Sequence, residues 1–280
     1  MFNRGIELQI DLVPVKTKDF SWTLSINATT YRNEITRMPE SNPEIISGTK
    51  KLKVGSSLFD YWLREWYGVD PATGNAEYRA ANFVASNSRI NQKGDTLTTS
   101  LNNARFRYNG SAIPDFTGGM NFTLGYKAFD ISAYLYTSIG NEIWNQSRWF
   151  TDFNQTFEGA AKSKRLLEAW TPQNLDATIP IVERVSNFSN ANVANSHYIE
   201  DGSYLRLQNL TLGYSAPASV LQKLKMERLR VFGSVNNLFT ITGYEGLDPA
   251  VGGNADTTFG IDVGNYPVTR GWTFGLNLSF

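Results

Sequence analysis

The 280-residue chain has no cysteine and a single histidine, His197. Without cysteine there is no disulfide framework and no thiolate chemistry, and a lone histidine argues against a histidine-based metal or acid–base site. The 26 basic and 26 acidic residues balance. Since no charge excess is present, nothing in the overall composition indicates a nucleic-acid or anionic-membrane partner.

Long apolar runs are also missing. A membrane-spanning helix needs about 20 consecutive apolar residues, and no segment of the chain reaches that length. This absence does not exclude a membrane protein, because barrel strands alternate polar and apolar residues and give a weak hydropathy signal. Aromatic residues make up 13% of the chain, and Asn, Thr and Ser are abundant. Both features fit a barrel with a wet lumen and large polar loops.

The final residues, TRGWTFGLNLSF, alternate strictly. Apolar side chains occupy every second position: Trp272, Phe274, Leu276, Leu278 and Phe280. A strand turns alternate side chains to opposite faces, so this segment has one apolar face and one small, polar face. An apolar face ending on an aromatic residue is typical of a transmembrane β-barrel, where that face meets lipid. We therefore predict that this is the C-terminal assembly strand of an outer-membrane barrel.

The same alternation recurs along the chain and predicts about nine strands of the length needed to cross a bilayer. They lie near residues 4–13, 20–30, 58–67, 76–83, 116–126, 129–139, 203–214, 228–239 and 269–280. Short connectors are expected at 14–19, 68–75, 126–128 and 215–227, and long polar loops at 31–57, 84–115, 140–201 and 240–268. Outer-membrane barrels have short periplasmic turns and long extracellular loops. An odd number of strands would close with a parallel seam, so the pattern predicts part of a larger barrel.

Several segments in order resemble the C-terminal barrel of the SusC/RagA family of TonB-linked (TonB-dependent) outer-membrane transporters. The matching segments are NRGIELQIDLVPVKTKDFSWTLSINAT (3–29), WYGVDPATGNAEY (66–78), IPDFTGGMNFTLGYKAFDISAYLYTSIGNEIWN (113–145), YIEDGSYLRLQNLTLGYSAP (198–217) and LRVFGSVNNLFTITGYEGLDPAV (229–251). Much of each motif is also what a barrel requires. Gly74 suits a turn that needs positive φ. The apolar, outward positions change from odd numbers at Leu205 and Leu207 to even numbers at Leu210 and Leu212, which predicts a β-bulge near Asn209.

The resemblance implies that residues 1–280 are the C-terminal part of an all-β, antiparallel transmembrane barrel of about 22 strands. It further implies energy-coupled import of a large nutrient, an oligosaccharide or a peptide, across the outer membrane of a Gram-negative bacterium. The implied partners are a SusD-like surface lipoprotein, outer-membrane lipid and the TonB complex. The plug, the TonB box and a signal peptide are absent from these residues, so we expect that Met1 is not the natural start.

The candidate binding residues are aromatic side chains in the loop 140–201. Trp144, Trp149, Phe150, Phe153 and Trp170 are expected either to contact a substrate or partner, or to pin the loop to itself. The last long loop contains three carboxylates that could bind calcium through their oxygens: Asp248, Asp256 and Asp262. Their spacing is not that of an EF-hand, so we expect ordinary solvated loop residues and no cofactor. Glu142, Asp152 and Glu158 have no fixed separation that would make a glycosidase pair.

Two other classes remain open. A passive porin or structural barrel predicts complete, even-stranded closure. A soluble carbohydrate-binding β-sandwich predicts short strands of about five or six residues. An enzyme is not expected, because the sequence has no nucleophile–base pair or metal constellation.

Overall fold

A seven-stranded antiparallel sheet, which we call the wall, dominates the computed structural model, which describes residues 1–152, 161–183, 189–253 and 258–280. Neighbours in the sheet are also neighbours along the chain among these strands, so the wall is an up-and-down meander. Its strands are β1 (Phe2–Lys16), β2 (Phe20–Glu34), β11 (Phe116–Tyr126), β12 (Phe129–Ile139), β15 (Tyr204–Ser215), β16 (Arg228–Thr242) and β18 (Gly271–Ser279).

The connections between wall strands alternate between short and long. Residues 17–19, 127–128 and 216–227 join strands at one end, whereas 35–115, 140–203 and 243–270 join them at the other. The longest connection on the short side, 216–227, contains helix α2 (Ala218–Leu224). No helix in the described part of the chain is both long and apolar enough to span a membrane. The predicted asymmetry between short turns and long loops is confirmed.

The pairing register places apolar residues opposite apolar residues across the wall. Ile26 of β2 lies opposite both Ile10 of β1 and Met120 of β11, and Met120 lies opposite Leu135 of β12. A one-residue slip would turn a strand's whole apolar set to the other face, so this register is strongly specified. One face of the wall is therefore continuously apolar.

A bulge in β15 preserves that alignment. Tyr134 of β12 lies opposite Asn209, but the next residue, Leu135, lies opposite Leu207, so Gln208 has no direct partner on that strand. The β15–β16 pairing shifts at the same place. An extra residue changes which side chains point outward, and the bulge predicted near Asn209 is confirmed.

The long loops are folded rather than loose, and they form a layer that we call the cap. Its short strands are β3 (Glu44–Ser47), β4 (Lys50–Lys53), β5 (Asp60–Arg64), β6 (Trp66–Val69), β7 (Ala76–Arg79), β8 (Ser88–Ile90), β9 (Thr96–Thr98), β10 (Phe106–Ser111), β13 (Glu142–Asn145), β14 (Ile199–Asp201) and β17 (Ile261–Asp262). Helix α1 (Gln146–Asp152) and two 3₁₀ turns, Lys164–Glu168 and Ser196–Tyr198, complete it. Tyr61, Tyr78, Trp144 and Tyr198 meet in its hydrophobic core.

The predicted count of nine membrane-crossing strands is wrong. Residues 58–67 and 76–83 alternate as wall strands do, but they form short cap strands. Two of their apolar side chains, Tyr61 and Leu63, are covered by protein and are 0% and 1% exposed. The predicted loops 31–57 and 84–115 are consequently parts of one long connection, 35–115. Seven is still an odd number, so β1 and β18 run in the same direction, and within the described residues the wall remains open.

Three smaller features of the sequence can be compared with the structure. The turn at 70–74 is confirmed: Gly74 has φ of 74° and Thr73 Oγ1 donates to Asp70 Oδ2 at 2.6 Å, although the turn lies in the cap. Of the segment 157–170, the structure describes residues 161–170, which contain the 3₁₀ turn Lys164–Glu168. Strand β16 passes through Asn237 with a local φ of 52° and continues to Thr242, beyond the predicted strand end at residue 239.

Candidate functional site

The outward face of the wall ends in a row of aromatic side chains beside the short turns. Register places Phe20, Tyr126, Phe129 and Tyr214 side by side on four successive strands. The rings of Phe129 and Tyr214 are in contact, with centroids 4.9 Å apart. Aromatic girdles of this kind lie at the membrane–water boundary of outer-membrane barrels. The row therefore indicates the border of a lipid-facing band.

The last strand continues the apolar face. Trp272 and Phe274 are 63% and 82% exposed, and Phe280, just beyond β18, is 81% exposed. Leu276 and Leu278 lie between them and are also exposed. A contiguous row of large exposed apolar side chains is unfavourable in water and marks a surface that an apolar medium or partner covers. The register of β18 places four members of the predicted assembly strand, Trp272, Phe274, Leu276 and Leu278, on this one face.

The opposite face of the wall is polar and contains an ion pair that spans a glycine. Arg230 of β16 donates to both carboxylate oxygens of Asp130 on β12, at 3.1 and 2.5 Å. The pair passes over Gly213 of the intervening strand, where an added Cβ would lie 2.4 Å from either partner. Gly213 is needed for this close approach. A polar, hydrogen-bonded face opposite an apolar one is what a water-filled lumen requires.

A second ion pair joins the wall to the cap. Arg206 of β15 donates through Nη2 to Asp248 Oδ1 at 2.6 Å and through Nε to Thr240 at 2.8 Å. Asp248 also accepts the backbone N–H groups of Ala250 and Val268. The loop 243–270 is thus anchored to the lumen side. The alternation predicts Arg206 on that side, but no local pattern indicates a partner 42 residues away.

A charged cluster organises the cap where its loops meet. Arg148 binds Asp152 and Glu200, each at 3.1 Å, and its Nη2 lies 3.4 Å from Nε2 of His197. Burial, reinforced by the cations of Arg148 and Arg165, lowers the pKa of His197 to about 4. The imidazole is therefore neutral at physiological pH. Its ring packs against that of Trp66 with the centroids 4.8 Å apart and the planes tilted by 37°, which makes it a packing residue of the cap.

The predicted loop aromatics are placed unequally. Trp144 is 3% exposed and donates its indole N–H to the backbone oxygen of Asn195. Trp149 packs against both Trp144 and Phe150. Trp170 donates to Pro71 O at 3.0 Å, and like Trp149 and Phe150 it is partly exposed. Phe153 lies outside the described residues. The structure brings three of the five, Trp144, Trp149 and Phe150, together within the cap.

The loop carboxylates are already engaged. Asp262 accepts the Tyr244 hydroxyl at 2.6 Å and the backbone N–H groups of Gly264 and Asn265. Asp248 is held as described above, and Asp256 lies outside the described residues. Among the residues that are described, no group of three His, Cys, Asp or Glu side chains is arranged to hold a metal ion.

Of the three acidic residues weighed as glycosidase groups, the two that the structure describes, Asp152 and Glu142, have different surroundings. Asp152 is ion-paired with Arg148. Burial, with the nearby carboxylates Asp201, Asp115 and Asp60, raises the pKa of Glu142. Glu158 lies outside the described residues.

The apolar outer face, the polar inner face and the meander together define the wall of an antiparallel transmembrane β-barrel. No family model matches the chain. Relatives nevertheless match it over nearly its whole length. The TonB-dependent receptor P3 of Formosa agariphila is 30% identical over 304 residues, covering 99% of this chain and 28% of the receptor. The TonB-dependent receptor SusC of Bacteroides thetaiotaomicron is 27% identical over 288 residues, 99% of this chain and 26% of that protein.

Solved structures agree with this fold. The RagAB peptide transporter superposes with a TM-score of 0.83 at 24% identity, covering 99% of this chain and 29% of that one. The RagAB peptide importer in its closed-closed state gives 0.82 at 25% identity, with the same coverage. The predicted fold class and the predicted resemblance to the SusC/RagA family of TonB-dependent transporters are therefore confirmed. The chain spans between a quarter and a third of the length of these relatives.

Proposed function

We propose that residues 1–280 form the C-terminal wall section of a TonB-dependent importer in the outer membrane of a Gram-negative bacterium. The observation that carries this proposal is the register of seven strands, which makes one face apolar from β1 to β18. Such a face requires lipid, and the open sheet requires further strands on both edges. The plug, the TonB box and a signal peptide would then belong to parts of the protein outside these residues.

The cargo that we propose is a large nutrient, an oligosaccharide or a peptide. The RagAB relatives are a peptide transporter, and SusC is a TonB-dependent receptor. By analogy we propose a SusD-like lipoprotein at the long-loop end and contact with the TonB complex through a region outside residues 1–280. The cap supports the proposal of a large cargo and a lipoprotein partner. Its three long loops pack around one hydrophobic core and so form an ordered surface to which another molecule can bind.

For the loop aromatics we propose that only the partly exposed members contact cargo or partner: Trp149, Phe150 and Trp170. Trp144 has almost no accessible ring face. Replacing Trp170 with alanine is expected to weaken substrate or partner binding more than replacing Trp144 with phenylalanine, which keeps an aromatic ring in the core. For the last strand, β18, we propose the role in barrel assembly predicted above. The test is the amount of a Phe280→Ser variant that reaches the outer membrane.

The two alternative classes meet specific difficulties. A sandwich would cover the apolar face of the wall with a second sheet, yet Phe274 is 82% exposed, and wall strands of 9 to 15 residues exceed the usual sandwich length. A passive porin needs no energy source. It is therefore separated from an importer by the energy dependence of uptake rather than by the fold.

The experiment is uptake by cells that carry or lack the complete gene. Labelled oligosaccharides and peptides are supplied with and without a protonophore that collapses the energy delivered through TonB. We expect uptake of one cargo class, lost on deletion and abolished by the protonophore. Uptake that continues unchanged with the protonophore would identify a passive pore instead.

A further inference from the structure

Two arginines face each other on the outward side of the wall near the long loops. Arg4 of β1 lies directly opposite Arg32 of β2, one step beyond the pair Ile6 and Thr30. Both arginines are exposed, and they share the face that carries Ile6, Leu8 and Ile10. Like charges directly opposite on a sheet destabilise it unless an anion lies between them.

The protein does not supply that anion within the part of the chain that the structure describes. Neither guanidinium forms a hydrogen bond or an ion pair there, and Glu34, the nearest acidic residue along β2, pairs with neither. Arg4 rests instead on the ring of Phe2, 5.6 Å from its centroid. Arg206 and Arg230, by contrast, are each matched to a carboxylate.

The distance of the two arginines from the aromatic row at the short-turn end can be compared with the thickness of the membrane. Arg32 lies twelve residues along β2 from Phe20, which belongs to the aromatic row at the short-turn end. Twelve residues extend about 40 Å along a strand, or about 30 Å along the membrane normal at the usual barrel tilt. The apolar band of a barrel is about 25 Å tall. The two guanidinium groups therefore lie just beyond the band, at the level of lipid headgroups on the long-loop side.

We propose that Arg4 and Arg32 bind a phosphate group of an anionic lipid in the leaflet on the long-loop side of the membrane. The inference rests on the proposed membrane location. Arginine offers planar, bidentate hydrogen bonds that match phosphate geometry, and one phosphate between two guanidinium groups relieves their repulsion. The lipid chains then lie along Ile6 and Leu8.

The test uses the whole protein, extracted from the outer membrane and delipidated under mild conditions. Binding of lipid A with two phosphates, of the same lipid dephosphorylated, and of inorganic phosphate is measured by native mass spectrometry. The double variant R4Q/R32Q is compared with K93Q/K223Q, which removes the same charge at exposed positions on a cap turn and on α2. We expect R4Q/R32Q to lower binding of the phosphorylated lipid at least tenfold, the factor expected for about one charge-assisted hydrogen bond, and K93Q/K223Q to leave it unchanged.

Three outcomes would overturn the proposal. The first is that R4Q/R32Q binds the phosphorylated lipid as well as the wild type does. The second is that the wild type binds the dephosphorylated lipid as tightly as the phosphorylated one. The third is that inorganic phosphate binds as tightly as the lipid, which would make the arginine pair a site for free anions. The variant R4K/R32K keeps both positive charges but cannot form the bidentate hydrogen bonds of arginine. It should therefore bind the phosphorylated lipid at an intermediate level. Because binding is measured only on protein recovered from the outer membrane, absence of the wild-type protein from that fraction would instead contradict the proposed function.

Discussion

Arg206 on a wall strand and Asp248 in the last long loop are joined by a 2.6 Å hydrogen bond between Nη2 and Oδ1. Both side chains are almost fully buried. Because Asp248 also accepts two backbone N–H groups of its own loop, one carboxylate connects the barrel wall to the fold of the cap.

Replacing Asp248 with asparagine should therefore release the loop 243–270. The single asparagine oxygen can accept only one of the two backbone N–H groups that now bind Oδ1 and Oδ2. Arg206 is also left buried without a counter-charge, which costs about 3 kcal/mol. The measurement is hydrogen exchange at the amides of Ala250 and Val268, which should become much faster. Asp176→Asn is the matched control, because Asp176 is exposed and has no ion pair within the described residues. Equal exchange in the two variants would contradict the role of the pair.

Gly213→Ala should break the ion pair on the lumen face. Its Cβ would lie 2.4 Å from Arg230 Nη2 and from Asp130 Oδ1, so the two side chains would have to separate. We expect a loss of about 2 kcal/mol, comparable to a charge-assisted hydrogen bond. The readout is the unfolding temperature of the whole barrel in detergent. Gly271→Ala, with open space around its Cβ, should leave that temperature unchanged.

The cap should lose stability as pH falls. The pKa of His197 is lowered to about 4 by burial and by Arg148 and Arg165, whereas an unfolded histidine titrates near 6.5. Below pH 6.5 the unfolded state binds a proton that the folded state does not, so the folded state is disfavoured progressively. The loss reaches about 3 kcal/mol near pH 4. Tryptophan fluorescence during thermal unfolding at pH 7 and pH 5 measures the part of this loss of stability that has developed by pH 5.

The control for the pH effect is His197→Gln, which removes the titrating group. The part of the pH dependence that originates at His197 should then disappear between pH 6.5 and 4. If the variant and the wild type lose stability equally over this interval, His197 is not the responsible group.

Two glycines with positive φ separate backbone strain from crowding. A Cβ at Gly74 would lie 2.5 Å from the ring of Trp170, whereas a Cβ at Gly94 meets nothing within 4 Å. Left-handed strain alone costs about 1 kcal/mol, so Gly94→Ala should have that effect and Gly74→Ala clearly more, about 3 kcal/mol. The amide of Ile181 donates to Gly74 O and reports the change by hydrogen exchange. Equal costs at the two sites would show that Trp170 moves aside freely.

The wall could be predicted from the sequence because its alternation is long and its register is fixed by one apolar face. Trp272 to Phe280 show this most clearly. The same alternation at Phe59, Tyr61 and Leu63 misleads, because a period of two shows that one face is apolar but not what covers it. In β18 that face is open to the surroundings, whereas in β5 it packs into the cap.

The contacts of the cap could not be predicted, since they join residues far apart in sequence. Arg206 finds Asp248 across 42 residues, and Tyr61 donates to Gly260 O across 199. Loop composition shows polarity and turn residues but contains no periodic signal for such pairings. The aromatic side chains of the loop 140–201 stand out in the sequence. Only the structure shows that Trp144 is a core residue.

The most direct test of the account is cysteine scanning along β18 in the whole protein in its membrane, since residues 1–280 contribute no cysteine of their own. Single cysteines at Trp272, Phe274, Leu276 and Leu278 are compared with cysteines at Thr273 and Asn277. We expect the first set to react with a lipid-soluble maleimide and resist a water-soluble one, and the second set to show the reverse. Reactivity without a period of two, or water-soluble labelling at Phe274 and Leu276, would contradict a lipid-facing barrel wall.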